Sequence, residues 1–185
     1  TDHPLGDDDE ARAAGADAGV RRCRGGAGRL VVVVIEFVVY GMPAPQGSKK
    51  FVGVNKAGRG IMVESSAKVK PWRQDVKAAA IEVRNNHGML APLDGPLSVS
   101  MVFTLPKPAS APKKRRTWPD KKPDVSKLAR STEDALSDAG LWADDARVVE
   151  YTRLAKVFPG EDPEALDSPG VRIRIKRANQ VELAL

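Results

Sequence analysis

The acidic residues between positions 121 and 151 have the spacing of a site that could do chemistry. Asp124 stands just before a stretch with helical periodicity, and Asp145 follows the turn that ends it. A helix of about fifteen residues is roughly 22 Å long, and about five extended residues after the turn lead back by roughly 16 Å. The two carboxylates could therefore share one pocket. Because Mg²⁺ takes oxygen ligands and usually only one or two carboxylates, a divalent metal site is one interpretation of this pair.

One amphipathic helix is expected to position these residues. Its apolar side chains recur at intervals of three and four residues, the spacing of a helix with one buried face. Pro123 and Gly140 mark the start and the stop of the pattern. The apolar stripe consists of Val125, Leu128, Ala129, Thr132, Leu136 and Ala139.

Simpler interpretations of the same acids remain open at this point. An Asp before the first helical turn is most often an N-cap, and for Asp124 alone this is the favoured interpretation. Asp144 and Asp145 alone suit a solvated turn. Asp134 and Asp138 alone suit a solvated helix face. Spacing by itself therefore favours structural roles over a metal site.

A basic, proline-rich loop leads directly into this helix. Its seven bases and one acid give a charge of +6, equal to the net charge of the whole chain. Such a loop beside acidic residues is where a nucleic-acid backbone would approach, and a solvated charge run is the alternative. Trp118 in this loop could stack on an exposed base or anchor the loop to the core. The bases are Lys107, Lys113, Lys114, Arg115, Arg116, Lys121 and Lys122, and the acid is Asp120.

Two further segments carry candidate phosphate contacts. Lys49 and Lys50 lie in a Gly- and Pro-containing segment, residues 41–60, that is predicted to be a loop. Arg73 lies on a predicted helix, largely away from its apolar stripe. The predicted DNA-binding residues are Lys113, Lys114, Arg115, Arg116, Lys121, Lys122, Lys49, Lys50 and Arg73.

The remaining pattern predicts an α+β fold. Clean alternation over residues 96–106 is typical of a strand with one buried face. The last strand alternates apolar residues with Arg172, Arg174 and Lys176, which predicts a phosphate contact or a charge-protected sheet edge. We expect a mixed β-sheet of about four to six short strands with two main helices packed on it. Strands are predicted over residues 30–40, 61–64, 96–106, 146–158 and 170–177, and helices from Ser65 or Ser66 to about 86 and between Pro123 and Gly140.

Bulk properties indicate one globular domain. The chain has 185 residues, a net charge of +6 and a pI near 9.5, which favours a polyanionic partner. We expect a disordered tail over residues 1–29, a folded domain over 30–178 and a short tail over 179–185. The single cysteine, Cys23, fits a reducing cytosol, and no segment has the length of a transmembrane span, so a cytoplasmic location is predicted.

The string PDVSKLARSTEDALSDAGLWADDARVV resembles the signature of the RusA family of Holliday-junction resolvases. The shared features are an Asp before the helix, a D-A-L triplet, a Gly turn and a D-D-x-x-V segment. A weaker similarity lies upstream, where the Pro-rich YGMPAPQGSKK precedes a basic helix with Trp72 and Arg73. The resemblance covers residues 31 to about 177. It implies a small homodimeric endonuclease that needs Mg²⁺, with Mn²⁺ as a substitute, and cuts four-way DNA junctions by paired nicks.

The resemblance also implies roles for individual residues. The first metal-binding aspartate of the family falls on Asp124 and the last on Asp145. Its basic helix residue, usually Lys, falls on Arg130, implying a contact to the scissile phosphate. Ser126 stands where the family has another metal-binding aspartate, and a hydroxyl lacks the charge that offsets dehydration of the ion. Asp144 is a further candidate ligand, with Asp134 in reserve.

Three functional hypotheses follow, all without a membrane partner. The first is a junction-resolving, Mg²⁺-dependent endodeoxyribonuclease acting in DNA recombination and repair. The second is a junction- or DNA-binding protein with weak or no cleavage, because Ser126 replaces a carboxylate. The third is a basic interaction protein whose acids are all caps and turns.

Overall fold

The structure, a computed structural model, describes residues 34–178 except 48, 56, 65, 66 and 113, without the side chains of 49–51 and 60–64. The predicted tails and Lys113 lie outside these residues, and the predicted domain limits stay predictions. The strands are β1 Val34–Tyr40, β2 Lys49–Val54, β3 Gly60–Glu64, β4 Leu97–Thr104, β5 Val148–Val157 and β6 Gly170–Arg177. The helices are α1 Val69–Asn86, α2 Val125–Asp138 and a short 3-10 helix, Asp145–Arg147.

Four of the strands form a mixed sheet in the order β1-β6-β4-β5. Strand β6 is antiparallel to both β1 and β4, whereas β4 and β5 are parallel. Parallel neighbours need a crossover connection. Residues 105–147 supply it, and they contain both the basic loop and α2.

The two long helices cover one face of this sheet. Val171 of β6 pairs with Val39 on one side and Phe103 on the other, and all three side chains are buried. Trp72 of α1 is buried as well, and its Nε1 donates to Thr132 Oγ1 of α2 at 3.3 Å. Burying a side chain of this size contributes about 1.5–3 kcal/mol, so this layer stabilises the placement of α2 on the sheet.

The α+β prediction is confirmed. The described residues hold the two expected helices, a mixed four-stranded sheet and a two-stranded hairpin formed by β2 and β3. Helix α2 ends where Gly140 takes a positive φ of 63°, as the glycine stop signal predicts. No helix in the described part of the chain is long and apolar enough to cross a membrane.

The prediction of a loop over residues 41–60 was wrong for its second half. Strand β2 begins at Lys49 and pairs antiparallel with β3. Asn55 closes the hairpin, since its Oδ1 accepts from Ala57 N at 3.0 Å and Arg59 N at 2.9 Å. A side-chain amide that bonds the following backbone is a turn signal, and it marks a hairpin here.

The prediction that β4 buries one face was also wrong, because all eight of its residues are buried. The second face carries small hydroxyl side chains that look solvent-facing in the sequence. The loop between β5 and β6, residues 158–169, covers Thr104: Leu166 is buried and its N donates to Thr104 Oγ1 at 2.8 Å. A central strand is therefore covered on both faces.

Strand β6 is not a sheet edge, so that interpretation of its cationic face was wrong. It lies between β1 and β4, and its arginines meet carboxylates. Arg172 Nη1 and Arg174 Nε each lie 3.1 Å from Glu36, and Arg174 also pairs with Glu164. Burial acts to raise the pKa of Glu36, but hydrogen bonds from Arg174 and Arg172 hold it below its ordinary value. These two arginines therefore form ion pairs within the protein, between β6, β1 and the loop before β6.

Candidate active site

The outward face of α2 carries the candidate chemistry. Ser126, Arg130 and Glu133 are spaced by four and three residues, so they follow one side of the helix. Ser126 and Arg130 are exposed, and Glu133 is partly buried. The opposite side packs Leu128 and Leu136 into the core. The amphipathic pattern thus fixes which way this face points.

Asp124 occupies the N-cap position of α2, but its side chain forms no cap hydrogen bond. Its Oδ2 instead lies 3.1 Å from Lys127 Nζ, and both side chains are about half exposed. An exposed ion pair of this kind contributes little, in general about 0–1 kcal/mol. The capping interpretation is therefore not what this carboxylate does, and the group remains accessible for another ligand.

Residues 139–147 connect α2 to β5. Trp142 is buried and pairs with Leu93, and its Nε1 donates to Ser137 Oγ at 2.7 Å. Residues Asp145–Arg147 then form the 3-10 helix, which Asp144 caps by accepting from Ala146 N at 2.8 Å. The strand predicted from residue 146 therefore begins only at Val148, and the extended return predicted for residues 141–145 stays a prediction.

Asp145 lies beside Glu133, a residue that the sequence interpretation missed. The pKa of Glu133 is raised to about 7, first because burial disfavours its charged form, and then because Asp145 and Asp134 are negative. Tyr151 of β5 donates its hydroxyl proton to Glu133. Glu133 follows Asp124 by nine residues, which is about 13 Å along a helix axis. Asp145 is therefore level with the second half of α2.

A signal for Glu133 was present in the sequence. It stands seven residues after Ser126 and three after Arg130, so the helical period places it on the stripe that the resemblance had already marked. The structure thus adds one carboxyl group to a stripe on which Ser126 has only a hydroxyl.

The donor set suits a hard cation with few protein ligands. Among the described residues, no group of three or more His, Cys, Asp or Glu side chains is arranged to hold a metal ion. Mg²⁺, however, is usually bound through one or two carboxylates plus water and substrate phosphate. The crowding of Glu133 and Asp145 leaves negative charge that a divalent cation would relieve. The residues present therefore fit a Mg²⁺ site completed by the substrate.

Two other candidates are engaged in holding the helices together. Arg73 of α1 lies 3.3 Å from Asp134 and 2.7 Å from Asp138, both on α2. This bridge occupies Asp134, the reserve metal ligand, and neutralises Arg73, a predicted phosphate contact. Its contribution is structural in this arrangement.

The basic loop is fixed to the body of the protein at its middle. Glu161 accepts from Thr117 N at 2.9 Å and pairs with Lys107. Arg116 lies 3.1 Å from Asp162, whose side chain is almost fully buried. Hydrogen bonds from Lys107 and Thr117 hold the pKa of Glu161 below its ordinary value. The loop therefore presents its cations from a defined backbone position.

The end of the loop is fixed to β5. Lys156 Nζ donates to the carbonyl oxygens of Lys121 at 2.5 Å and Pro123 at 2.9 Å. The side chains of Lys121 and Lys122 are exposed, as are those of Lys114 and Arg115. Lys113 and the side chains of Lys49 and Lys50 lie outside the described residues. The exposed cations therefore lead directly to Asp124 and α2.

One comparison with known proteins identifies this arrangement. A family model described as endodeoxyribonuclease RusA matches residues 41–176. No curated protein matches the chain. The matched segment contains α1, the basic loop, α2, the 3-10 helix and strands β2 to β5. Because it covers most of the chain, the protein belongs to the RusA family.

Proposed function

We propose that this member of the RusA family is a Mg²⁺-dependent endodeoxyribonuclease that resolves four-way DNA junctions by paired nicks. The observation that carries the proposal is that exposed basic residues directly precede a helix face with acidic residues. The exposed cations of the basic loop lead into the helix whose outward face holds Arg130 and Glu133, with Asp145 beside it. A polyanionic backbone guided by the loop would reach these carboxylates.

Asp145 is the residue that would hold one cation, with Glu133 beside it. Asp124 would hold a second ion, because it lies about 13 Å along the helix axis from Glu133 and one ion cannot bridge that distance. Glu133 adds a second carboxyl group next to Asp145, and a bound cation would favour its charged form. When bound, Mg²⁺ would supply activation of a water molecule and compensation of charge at the phosphate, with Mn²⁺ as a substitute. The capping bond of Asp144 to Ala146 keeps Asp145 at the start of the 3-10 helix.

Arg130 is the residue proposed to bind the scissile phosphate. It is exposed on the same stripe as Ser126 and Glu133, and its positive charge acts against the raised pKa of Glu133, so it lies near the acidic group. A guanidinium binds phosphate through two parallel N–H bonds, which fixes direction as well as charge. The positioned phosphate then faces the carboxylates instead of bulk solvent.

A homodimer is part of the same proposal. Two opposed nicks in a pseudo-symmetric junction need two active sites related by a two-fold axis. Lys121, Lys122, Lys114 and Arg115 of each subunit would follow one arm of the junction and supply salt-dependent affinity. Sedimentation of the protein alone and with junction DNA tests this arrangement.

The central experiment compares a labelled four-way junction with a matched duplex in Mg²⁺, Mn²⁺ or chelator. We expect paired nicks only on the junction and only with a divalent ion. Asp145→Asn should lower the nicking rate by at least about 100-fold, more than loss of an outer-shell partner of a metal ligand costs, while junction binding survives. Mn²⁺ binding measured by electron paramagnetic resonance should weaken in parallel.

The matched control is Asp167→Asn, the same charge change at an exposed position of the loop that covers the other side of the sheet. It should leave nicking and Mn²⁺ binding unchanged. Full cleavage by Asp145→Asn, or cleavage in chelator, would contradict the proposed site.

Binding without cleavage is the second candidate, and Ser126 is the observation that favours it. Its hydroxyl is exposed on α2 where the family signature has an aspartate. In this case the protein binds junctions in every divalent ion and cuts none of them. Ser126→Asp separates the two: a large gain in nicking means that the missing carboxylate limits the reaction, and no change means that another group fills its place.

A further inference from the structure

A large cavity lies under the basic loop, and the proposed function gives this cavity no role. Its volume is about 840 Å³, within the size range of small-molecule and nucleotide sites. Its lining includes the buried side chains of Ala44, Leu105 and Phe158. Lys68, Lys121 and Lys122 also line it, and all three are exposed. The cavity is therefore apolar inside and cationic at its mouth.

Trp118 forms part of the wall of this cavity and is 57% exposed. It also lines a second cavity of about 320 Å³, so its ring separates two recesses. The alternative that Trp118 anchors the loop to the core is therefore wrong. The other two tryptophans, Trp72 and Trp142, are each 1% exposed. Large exposed aromatic surface is unfavourable in water and marks a contact site when it lines a recess.

The indole is held in place by the loop's own contacts. The Arg116 guanidinium lies 4.0 Å from the centroid of the Trp118 ring, a cation–π contact. Arg116 is itself fixed by Asp162 at 3.1 Å. An aromatic ring that is both exposed and fixed loses little conformational freedom when a second flat ring stacks on it. This arrangement favours a planar ligand.

We propose that this cavity receives an unpaired nucleobase of the bound DNA, which stacks on Trp118 while its flanking phosphates meet Lys121 and Lys122. The inference rests on the proposed action on DNA. The flat, uncharged ring of a base is complementary to the apolar wall. The phosphates of its strand are complementary to the lysines at the mouth. An apolar peptide would satisfy the wall but leave the cations without a partner.

The position of the cavity gives the base a use in the reaction. Pro123 also lines it, directly before the proposed metal residue Asp124. A base held there would fix the neighbouring phosphate beside α2. Extruding a base costs a few kcal/mol and least where it is already unpaired, so the cavity would favour DNA with open base pairs, as at a branch point.

The test measures fluorescence quenching of Trp118 by two short single strands of equal length. One is an oligothymidine, and the other has the same phosphates with abasic sugars. Because Trp72 and Trp142 are buried, quenching reports on Trp118. Stacking of one base is worth about 1–3 kcal/mol, so the base-bearing strand should bind about 5- to 150-fold more tightly.

Variants separate the base from the phosphates. Trp118→Ala, followed by anisotropy of labelled strands, should remove the difference between the two strands and leave affinity for the abasic strand unchanged. Trp118→Phe should keep part of the difference. Lys121→Gln with Lys122→Gln should weaken both strands equally. Circular dichroism confirms that each variant is folded.

Two outcomes overturn the inference in distinguishable ways. If the unmodified protein binds both strands equally, or Trp118→Ala keeps the preference, no base enters the cavity, while junction binding and nicking remain as proposed. If neither strand nor any junction binds, the inference fails together with the proposed function.

Discussion

The outer face of the sheet and the basic loop look alike as sequences but differ as structures. On the sheet face, Arg153, Arg172 and Arg174 pair with carboxylates from neighbouring strands and from the loop between β5 and β6. Within the described residues of the basic loop, Lys121 and Lys122 form no ion pair. Basic residues are therefore evidence for a polyanionic partner only where the fold leaves them without carboxylates.

The difference extends to the acids. Asp162 on the sheet side is almost fully buried between Arg153 and Arg116, and their charges hold its pKa below its ordinary value although burial acts to raise it. For Glu133 on the α2 side, burial and the negative charges of Asp145 and Asp134 outweigh the charge of Arg130, and its pKa is raised. On the outer face of the sheet the charged groups are paired with one another, whereas on the α2 side charged groups are available for ligands. Changes to the first should affect stability, and changes to the second should affect binding.

The largest effect is expected from Arg153→Met. The change leaves Asp162 with a single cationic partner and Glu164 with one fewer, and uncompensated buried charge is costly. We expect a loss of about 2 kcal/mol in the free energy of unfolding, because Arg116 still pairs with Asp162. Urea unfolding should show a lower midpoint with an unchanged slope.

Arg147→Met is the matched control for that change. Arg147 pairs with Asp94 at 2.7 Å, but both side chains are well exposed. Its removal should cost less than about 1 kcal/mol. Equal losses in the two variants would show that the sheet-face network is no more stabilising than an ordinary surface pair.

The next effect in size concerns salt dependence. Lys121→Gln with Lys122→Gln should weaken junction binding about tenfold near 0.1 M salt, because two phosphate contacts and their released counterions are lost. The slope of log affinity against log salt should fall by about two. Arg172→Gln with Arg174→Gln removes the same charge from the paired surface and should leave that slope unchanged. Equal slopes in both double variants would erase the distinction between the surfaces.

The smallest effect is a pH dependence of stability at Glu133. Its folded pKa, about 7, is above the ordinary value of 4.5, so the folded state binds more protons between these limits. Stability should therefore be full below pH 4.5 and fall as pH rises through 7. Glu133→Gln should be more stable than the unmodified protein at pH 8 by about 1 kcal/mol, allowing for solvent screening.

This measurement is made in chelator by thermal or urea unfolding. At pH 4 the two proteins should have equal stability, since Glu133 is then neutral in both states. A gain of the same size at pH 4 and pH 8 would assign the effect to packing instead of charge.

The periodicity of apolar residues predicted the elements that bury one face in the core. The α2 stripe and its Gly140 stop, the core position of Trp142 and the α+β class all follow from spacing and turn chemistry. Sheet order does not follow from spacing. β6 therefore looked like an edge, and the hydroxyl of Thr104 looked solvent-facing although Leu166 of a distant loop donates to it.

The sequence predicted which residues belong to the candidate site better than it predicted their relative positions. Asp124, Arg130 and Asp145 could be named from the signature, and their roles stay predictions, as does the cytoplasmic location. The path between them depended on the 3-10 helix and on the pairing of Trp142 with Leu93, which no local pattern announces. Glu133 became visible only when that path placed Asp145 beside it.

The parallel pairing of β4 with β5 has an evolutionary consequence. Every candidate residue for cleavage and most of those for DNA contact lie in residues 105–147, which enter from β4 and leave into its immediate neighbour β5. The candidate residues therefore lie in one crossover connection between two adjacent strands of the sheet. Lengthening such a connection costs little, about 0.6 kcal/mol per doubling of a flexible loop. Changes in the length of the exposed basic loop before α2 can thus alter the DNA contacts at little cost, while α2 itself stays fixed by its buried side chains.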